Sequence, residues 1–359
     1  MKQKVLVNTP DLSQGGGVSH YLNNLSLNES SDIDYFQIQG TGKSIFAKVL
    51  YLCRRYVQFS RKIKSYDLIH IHPSLNKNSF LRDAVFIRIA IKKKKNVLIT
   101  MHGWEDEFES KIKASKLYRY IFKKTYARVA HYVVLGNIFK NKLIELTGSD
   151  NTQYFIEYTV IDDVKIKMPV KSITTTDPVK FLFLSRVEKT KGIYIAIDAI
   201  WMLNKKTGMN HKLIIAGDGN ELESVKTYVS DNNLSFVDIK GFIHGDDKIQ
   251  AFMNSDVFIF PTYYGEGLPT AILESMLYGL PVISRVIAAI PEVVKNGVNG
   301  YLLESKAPND FMNAIEELIK SPDQFSSISE LNQKTAKQLF VAPKARQRMK
   351  EIYQKLLND

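Results

Sequence analysis

Short apolar runs of strand length alternate with segments of helical spacing along the chain, and the alternation runs twice. In the first half KVLVN (4–8), DLIHIH (67–72), NVLITMHG (96–103) and HYVVLG (131–136) read as strands, with helices expected at VSHYLNNLSL (18–27) and FLRDAVFIRIAIKKKK (80–95). The polar stretch KSITTTDPV (171–179) interrupts the pattern. It restarts with KFLFLS (180–185), GIYIAIDAIWML (192–203), HKLIIAG (211–217), DIKGFI (238–243), DVFIFP (256–261), TAILESMLYG (270–279) and PVISR (281–285). Strands separated by helices specify a parallel sheet covered on both faces. Two rounds therefore predict an α/β chain of two Rossmann-like, doubly wound parallel-sheet domains, residues 1–170 and 171–342. The polar helix at 343–359 is expected to pack back on the first of them. A chain of 359 residues suits two such cores better than one.

Charge divides the same way. The whole net charge of +12 belongs to residues 1–170, and the second half is neutral. Much of the excess lies in RRYVQFSRKIK (54–64), KKKK (92–95) and KIKASKLYRYIFKK (111–124), where cations are interleaved with aromatic and aliphatic residues. Such a surface suits an anionic membrane face or an acidic polymer. No recognition-helix, zinc-finger or RNA-binding pattern accompanies it, so nucleic acid is not expected. No apolar run reaches the roughly 18 residues of a membrane span. The expected location is the cytoplasm, with peripheral attachment to the inner face of the cell membrane left open. Cys53 is the only cysteine, which excludes an internal disulfide and a thiolate metal cluster.

In doubly wound sheets, ligands gather beyond the carboxyl ends of the strands. Reading those ends in order gives Gly15-Gly16-Gly17, His72, His102-Gly103, Arg186 with Lys191, Asp218-Gly219 and Glu266-Gly267. GEGLPTAILES (265–275) holds two glutamates, Glu266 in a loop and Glu274 about one turn into a helix that starts near Thr270. The backbone of Gly267, Leu268, Pro269 and Thr270 is read as the approach to that helix and as an anion site, its N–H groups supplied by the residues other than Pro269. Arg186 and Lys191, five positions apart around a turn, suit the two phosphates of a nucleoside diphosphate and its stabilisation as a leaving group. Gly16 and Gly17 allow close backbone approach to a phosphate or an acceptor. Neither GGG nor GDGNEL (217–222) is a G-x-G-x-x-G fingerprint, so a nicotinamide cofactor is not expected. His102 closes a strand beside Gly103; His70, His72 and His244 are secondary, and His20 reads as helix packing. Asp32-Ile33-Asp34 resembles the D-x-D of other sugar-transferring folds, but no metal-ligand spacing supports it and no metal is expected.

Taken together, these motifs resemble the retaining nucleotide-sugar glycosyltransferases of the GT-B fold, often called family 4. The second half resembles that pattern nearly throughout, in FLFLSRVEKTKG, LIIAGDGNELESV, SDVFIFPTYYGEGLPTAILESMLYGLPVIS and IPEVVKNGVNGYLL. The first half does so more loosely, in QGGGVSHYLNNL, YDLIHIH and TMHGWE. The resemblance implies two domains facing across a cleft, acceptor on the first and donor on the second. It implies that Arg186, Lys191 and the 267–270 backbone hold the donor diphosphate and that Glu274 takes the ribose. Glu266 and His102 would meet the transferred sugar, with Gly16 or Gly17 near phosphate or acceptor. The implied activity is metal-independent transfer of a hexose, with retention, from a UDP- or GDP-sugar to a growing, lipid-linked saccharide of a capsule, O-antigen or exopolysaccharide. The nucleotide sugar is a co-substrate and no cofactor is implied. Whether Glu266 is a nucleophile or a stabiliser stays open, with the stabiliser favoured.

Two rivals remain: a nucleotide-sugar epimerase of the same architecture, and a catalytically silent nucleotide-sugar-binding protein. Two departures from the family pattern bear on them. Ala288-Ala289 stands where Gly-Gly is usual, with Arg285 where a smaller residue is common. EYTVIDD (157–163) replaces Asn-Gly-Val-Asp.

Overall fold

The computed structural model describes residues 3–14, 16–39, 44–148, 152–162, 168–265 and 267–358. The chain begins β1 (Val5–Pro10), α1 (Gly17–Leu25), β2 (Ile33–Ile38), α2 (Ile45–Lys62), β3 (Leu68–Ile71), α3 (Lys77–Lys92) and β4 (Asn96–Met101). Next come α4 (Asp106–Ala114), α5 (Lys116–Lys124), β5 (His131–Val134), α6 (Asn137–Thr147) and β6 (Gln153–Ile156). The second alternation runs β7 (Lys180–Leu184), α7 (Ile193–Thr207), β8 (Lys212–Ala216), α8 (Leu222–Asp231), β9 (Val237–Gly241), α9 (Gly245–Met253) and β10 (Val257–Phe260). It closes with α10 (Thr270–Leu277), β11 (Val282–Arg285), α11 (Ile290–Val293), β12 (Gly300–Leu303), α12 (Pro308–Ile319), α13 (Pro322–Leu339) and α14 (Ala342–Asn358).

Contacts divide the chain into two units. The first is Met1–Asp162 with Gly265–Leu268 and Val341–Asp359; the second is Asp163–Tyr264 with Pro269–Phe340. Among the described residues each unit holds a six-stranded sheet in which every named pairing is parallel.

In the first unit the order is β2-β1-β3-β4-β5-β6, so the direction of winding reverses between β1 and β3. Strands β1 and β3 are buried almost throughout, as a sheet covered on both faces requires. One cover includes α14, whose Ala345, Met349, Tyr353 and Leu356 pack with Val5, Val7, Leu22, Leu68 and Leu98. Arg348 of that helix forks onto the buried Glu157 carboxylate at 2.8 to 3.0 Å, in the segment where the family pattern departs. Such a bidentate pair pins the helix by geometry as well as charge.

In the second unit the order is β12-β11-β10-β7-β8-β9, and the winding reverses between β7 and β10. Helix α7 is bounded by Gly192 (φ 81) and Gly208 (φ 72), both in the left-handed region. At Gly192 the close approach is absolute, because a Cβ there would lie 2.3 Å from the Pro261 carbonyl oxygen. The turn after β7 is thereby pressed against the end of β10. Helix α13 buries Ser329, Asn332 and Gln333, which bond backbone groups of Lys171, Leu280, Asn299 and Pro169.

Candidate functional site

In the second unit the reversal point between β7 and β10 collects the sequence-predicted cations. After β7, the turn Lys189–Lys191 leads through Gly192 into α7. The chain leaving β10 is tied to this turn by Tyr263 N–H donating to Thr190 O at 2.9 Å. That bond sets Tyr264 over both cations: its ring centroid lies 4.3 Å from Lys191 Nζ and 5.8 Å from the Arg186 guanidinium. The two differ in setting. Lys191 is only 4% exposed. The Arg186 side chain is 61% exposed and donates to Glu188 Oε1 at 2.6 Å. A buried lysine at a strand end is uncommon, because an ammonium loses most of its hydration there.

Helix α10 begins at Thr270 with Pro269 at its N-cap, and no acid occupies its first turn. Glu274, one turn in, accepts from Lys248 Nζ of α9 at 2.6 Å. Glu266 lies outside the described residues. Gly267 and Leu268 belong by their contacts to the first unit, where Leu268 O accepts from Thr159 Oγ1 at 3.1 Å. Beyond β7, β8 and β9 opens a cavity of about 340 Å³ lined by Leu184, Ser185, Arg186, Gly217, Asp218 and Phe242. Its floor requires a glycine at 217, where a Cβ would fall 1.8 Å from Ser185 O.

Arg285 is not turned to an anion: its guanidinium donates to the carbonyls of Ser305 and Glu304. Ala288 holds φ 47, the left-handed conformation that a glycine would occupy without strain.

In the first unit the corresponding strand ends carry a histidine ladder. His70 on β3 and His72 just past its end, two residues apart, have ring centroids 4.0 Å apart. His70 is held at both nitrogens, by Tyr353 OH at 2.6 Å and Thr100 Oγ1 at 2.7 Å. His72 Nδ1 meets His102 Nε2 at 2.7 Å, and Tyr21 packs edge-on against His102 at 4.7 Å. Burial holds all three imidazoles below the usual histidine range, His102 at about 3, so they are neutral at pH 7. His72 Nε2 is buried and has no hydrogen-bond partner among the described residues. An orphaned lone pair costs less than an orphaned N–H, so His72 donates from Nδ1 to His102 Nε2. His102 then carries its own proton on Nδ1 and is a neutral donor.

At Gly16 and Gly17, which start α1, an added Cβ would meet nothing within 4 Å, so the loop faces open space. His20 lies exposed beside Asn24, 3.2 Å away, which corrects the expectation of helix packing. Asp34 accepts from Tyr66 OH at 2.8 Å, and no group of three potential metal ligands occurs among the described residues. Sequence reasoning passed over Tyr264, Lys248 and Phe242. Tyr264 had a signal, an aromatic just before the glutamate loop, whereas Lys248 reaches Glu274 only through the packing of α9 beside α10.

A family model described as glycosyl transferases group 1 matches residues 164–357. A glycosyltransferase of Methanocaldococcus jannaschii is 26% identical over 82% of this chain and 76% of its own length. The capsular polysaccharide biosynthesis glycosyltransferase CapM of Staphylococcus aureus is 24% identical over 64% of this chain and 60% of its own. Among solved structures, Anabaena HepE in complex with UDP superposes with a TM-score of 0.75 at 16% identity, covering 98% of this chain and all of that one.

Proposed function

The chain belongs to the glycosyl transferases group 1 family, and from that premise we propose that it transfers a hexose, with retention, from a UDP- or GDP-sugar to a growing, lipid-linked saccharide in cell-surface polysaccharide synthesis. The observation that carries the donor site is Lys191, a buried ammonium at the winding reversal of the second sheet, beside Arg186 and under Tyr264. In this reading the donor diphosphate lies against Arg186, Lys191 and the start of α10. Arg186 exchanges Glu188 for a phosphate oxygen. The base enters the cavity beside Phe242, and the ribose hydroxyls donate to Glu274, whose charge and orientation Lys248 holds.

Bond cleavage places one more negative charge on the departing diphosphate, at its terminal phosphate. Fixed cations that need no reorganisation stabilise this charge more in the transition state than in the bound donor. In this reading Glu266 stabilises the cationic sugar that results, and His102 donates from Nδ1 to a sugar hydroxyl, since its Nε2 is taken up by His72 and a pKa held down to about 3 makes it too weak a base to take the acceptor's proton. No step calls for a metal. The polysaccharide assignment is supported by likeness to CapM, and the UDP assignment by the fold shared with HepE.

A panel of UDP, GDP and their hexose conjugates, read by thermal shift, tests donor class. A ligand at about 100 times its Kd stabilises by ~2.7 kcal/mol. NMR of the product's anomeric proton tests retention. Nucleotide binding with no transfer to any saccharide acceptor would return the silent-binder reading.

A further inference from the structure

Helix α2 turns its apolar side the wrong way for a helix of a folded core. Its inner side is held by Tyr51 OH accepting from Gln39 N–H at 2.8 Å, by Arg55 over the Phe36 ring at 4.0 Å, and by buried Phe59. Its outer side carries Ile45, Phe46, Val49, Leu50 and Val57, spaced to form one stripe, with Ile45 83% and Phe46 77% exposed. Isolated exposed apolar residues mean little, but a five-residue stripe on one helix marks a contact surface.

The charges decide which contact. Every charged residue of α2 is basic, and Arg54 and Arg61 are exposed beside the stripe. Helix α3, packed beside α2, turns Leu81 and Val85 outward. Helix α5, packed on α3, exposes Leu117 and Tyr120 among Lys116, Arg119, Lys123 and Lys124. A protein partner would be expected to meet such cations with acids of its own. An anionic bilayer supplies both the negative charge and the apolar depth. No helix of the described residues is long and apolar enough to span a membrane, so the contact is interfacial.

We propose that the outer face of α2, extended by α3 and α5, is the surface by which this protein docks on an anionic lipid bilayer. This rests on the glycosyltransferase reading for its purpose, since a lipid-linked acceptor is presented at that surface. The inner side of α2 agrees with it. Lys48 and Tyr51 help line a polar cavity of about 490 Å³ with Asp11, Gln39 and Arg82, at the carboxyl ends of β1 and β2. A saccharide head group held there lies one helix diameter from the bilayer that carries its tail.

The test is co-sedimentation of the full chain with vesicles of phosphatidylcholine alone and of phosphatidylcholine with phosphatidylglycerol, for wild type and for Phe46→Glu combined with Val49→Glu. Both positions are exposed, so the variant is expected to fold, and an unchanged thermal shift with UDP checks this. The expected result is binding to the phosphatidylglycerol vesicles that weakens with salt and falls about tenfold or more in the variant. Wild-type chain that stays in the supernatant, or a variant that binds as well as wild type, overturns the proposal. So does a wild-type oligomer that the variant converts to monomer, which would make the stripe a self-association face. Lost vesicle binding with intact UDP binding condemns only the surface. Vesicle binding without UDP binding supports the surface and condemns the donor reading.

Discussion

Replacing the two cations of the proposed donor site one at a time should give unequal losses, and burial sets the order. Lys191→Met keeps the volume of the stem and removes the charge. Lys191 is 4% exposed, so the proposed bond to a phosphate would form where water competes little. A charge-assisted bond of that kind contributes about 1.5–3 kcal/mol, and removal of a fixed donor to developing negative charge costs about 2.7–4 kcal/mol, or roughly 100- to 1000-fold in kcat. Arg186→Ala removes a side chain that is 61% exposed and already bonded to Glu188. Exposed ion pairs are worth about 0–1 kcal/mol, so the loss should stay at about fivefold or less. Initial rates of sugar transfer, with nucleotide Kd from calorimetry, separate binding from chemistry. Lys191→Met should lose mainly kcat and Arg186→Ala mainly donor affinity. An equal or larger loss for Arg186→Ala would refute the reasoning, and so would a Lys191→Met enzyme within about threefold of wild type.

Gly192→Ala should destabilise the second unit by about 3 kcal/mol or more, because it combines φ 81 with a Cβ 2.3 Å from Pro261 O; a thermal midpoint within a degree or two of wild type would contradict this. Arg348→Met leaves the buried Glu157 carboxylate without its fork, a loss of about 3–5 kcal/mol in the first unit, read as faster amide exchange in α14. Acid should weaken the same unit. The folded pKa values of His70, His72 and His102 lie below the unfolded value near 6.5, so the unfolded chain binds more protons as pH falls through that value. Each histidine then contributes a slope of up to ~1.4 kcal/mol per pH unit as pH falls below about 6, for His102 until its folded value of about 3 is approached, and none above about 7. Urea midpoints against pH for wild type and His70→Gln check it, with the shallower slope expected in the variant.

The strands that were legible in the sequence are those with nowhere to put a polar residue. VFIF of β10 and the apolar core of β1 announce a sheet buried on both faces. Strand β6 is half-buried at every position, on the edge of its sheet, and QYFI carries neither alternation nor a long apolar run. Helix α13 was obscured for another reason. Its buried Ser329, Asn332 and Gln333 satisfy the backbone of neighbouring loops, and in a sequence such residues look like a solvent face.

At the candidate site, reading the strand ends drew attention to Arg186, Lys191 and the glutamate loop, and the family resemblance gave Glu274 its expected role; the structure puts the two cations after β7, at the reversal of the second sheet. Spacing could not reveal that Lys191 is buried and Arg186 exposed, or that Arg285 bonds loop carbonyls. The histidine ladder was half legible: His70 and His72 must share a face at period two, but their union with His102 depends on the pairing of β3 with β4. Periodicity likewise identifies the apolar stripe of α2 but cannot tell which side of a helix meets the core.

The most direct test of the account is the structure of the protein bound to UDP. The account predicts the diphosphate within hydrogen-bond reach of Lys191 and Arg186, with Glu188 released, the ribose on Glu274 and the base beside Phe242. Nucleotide found elsewhere, or Lys191 left without a phosphate contact, would contradict it.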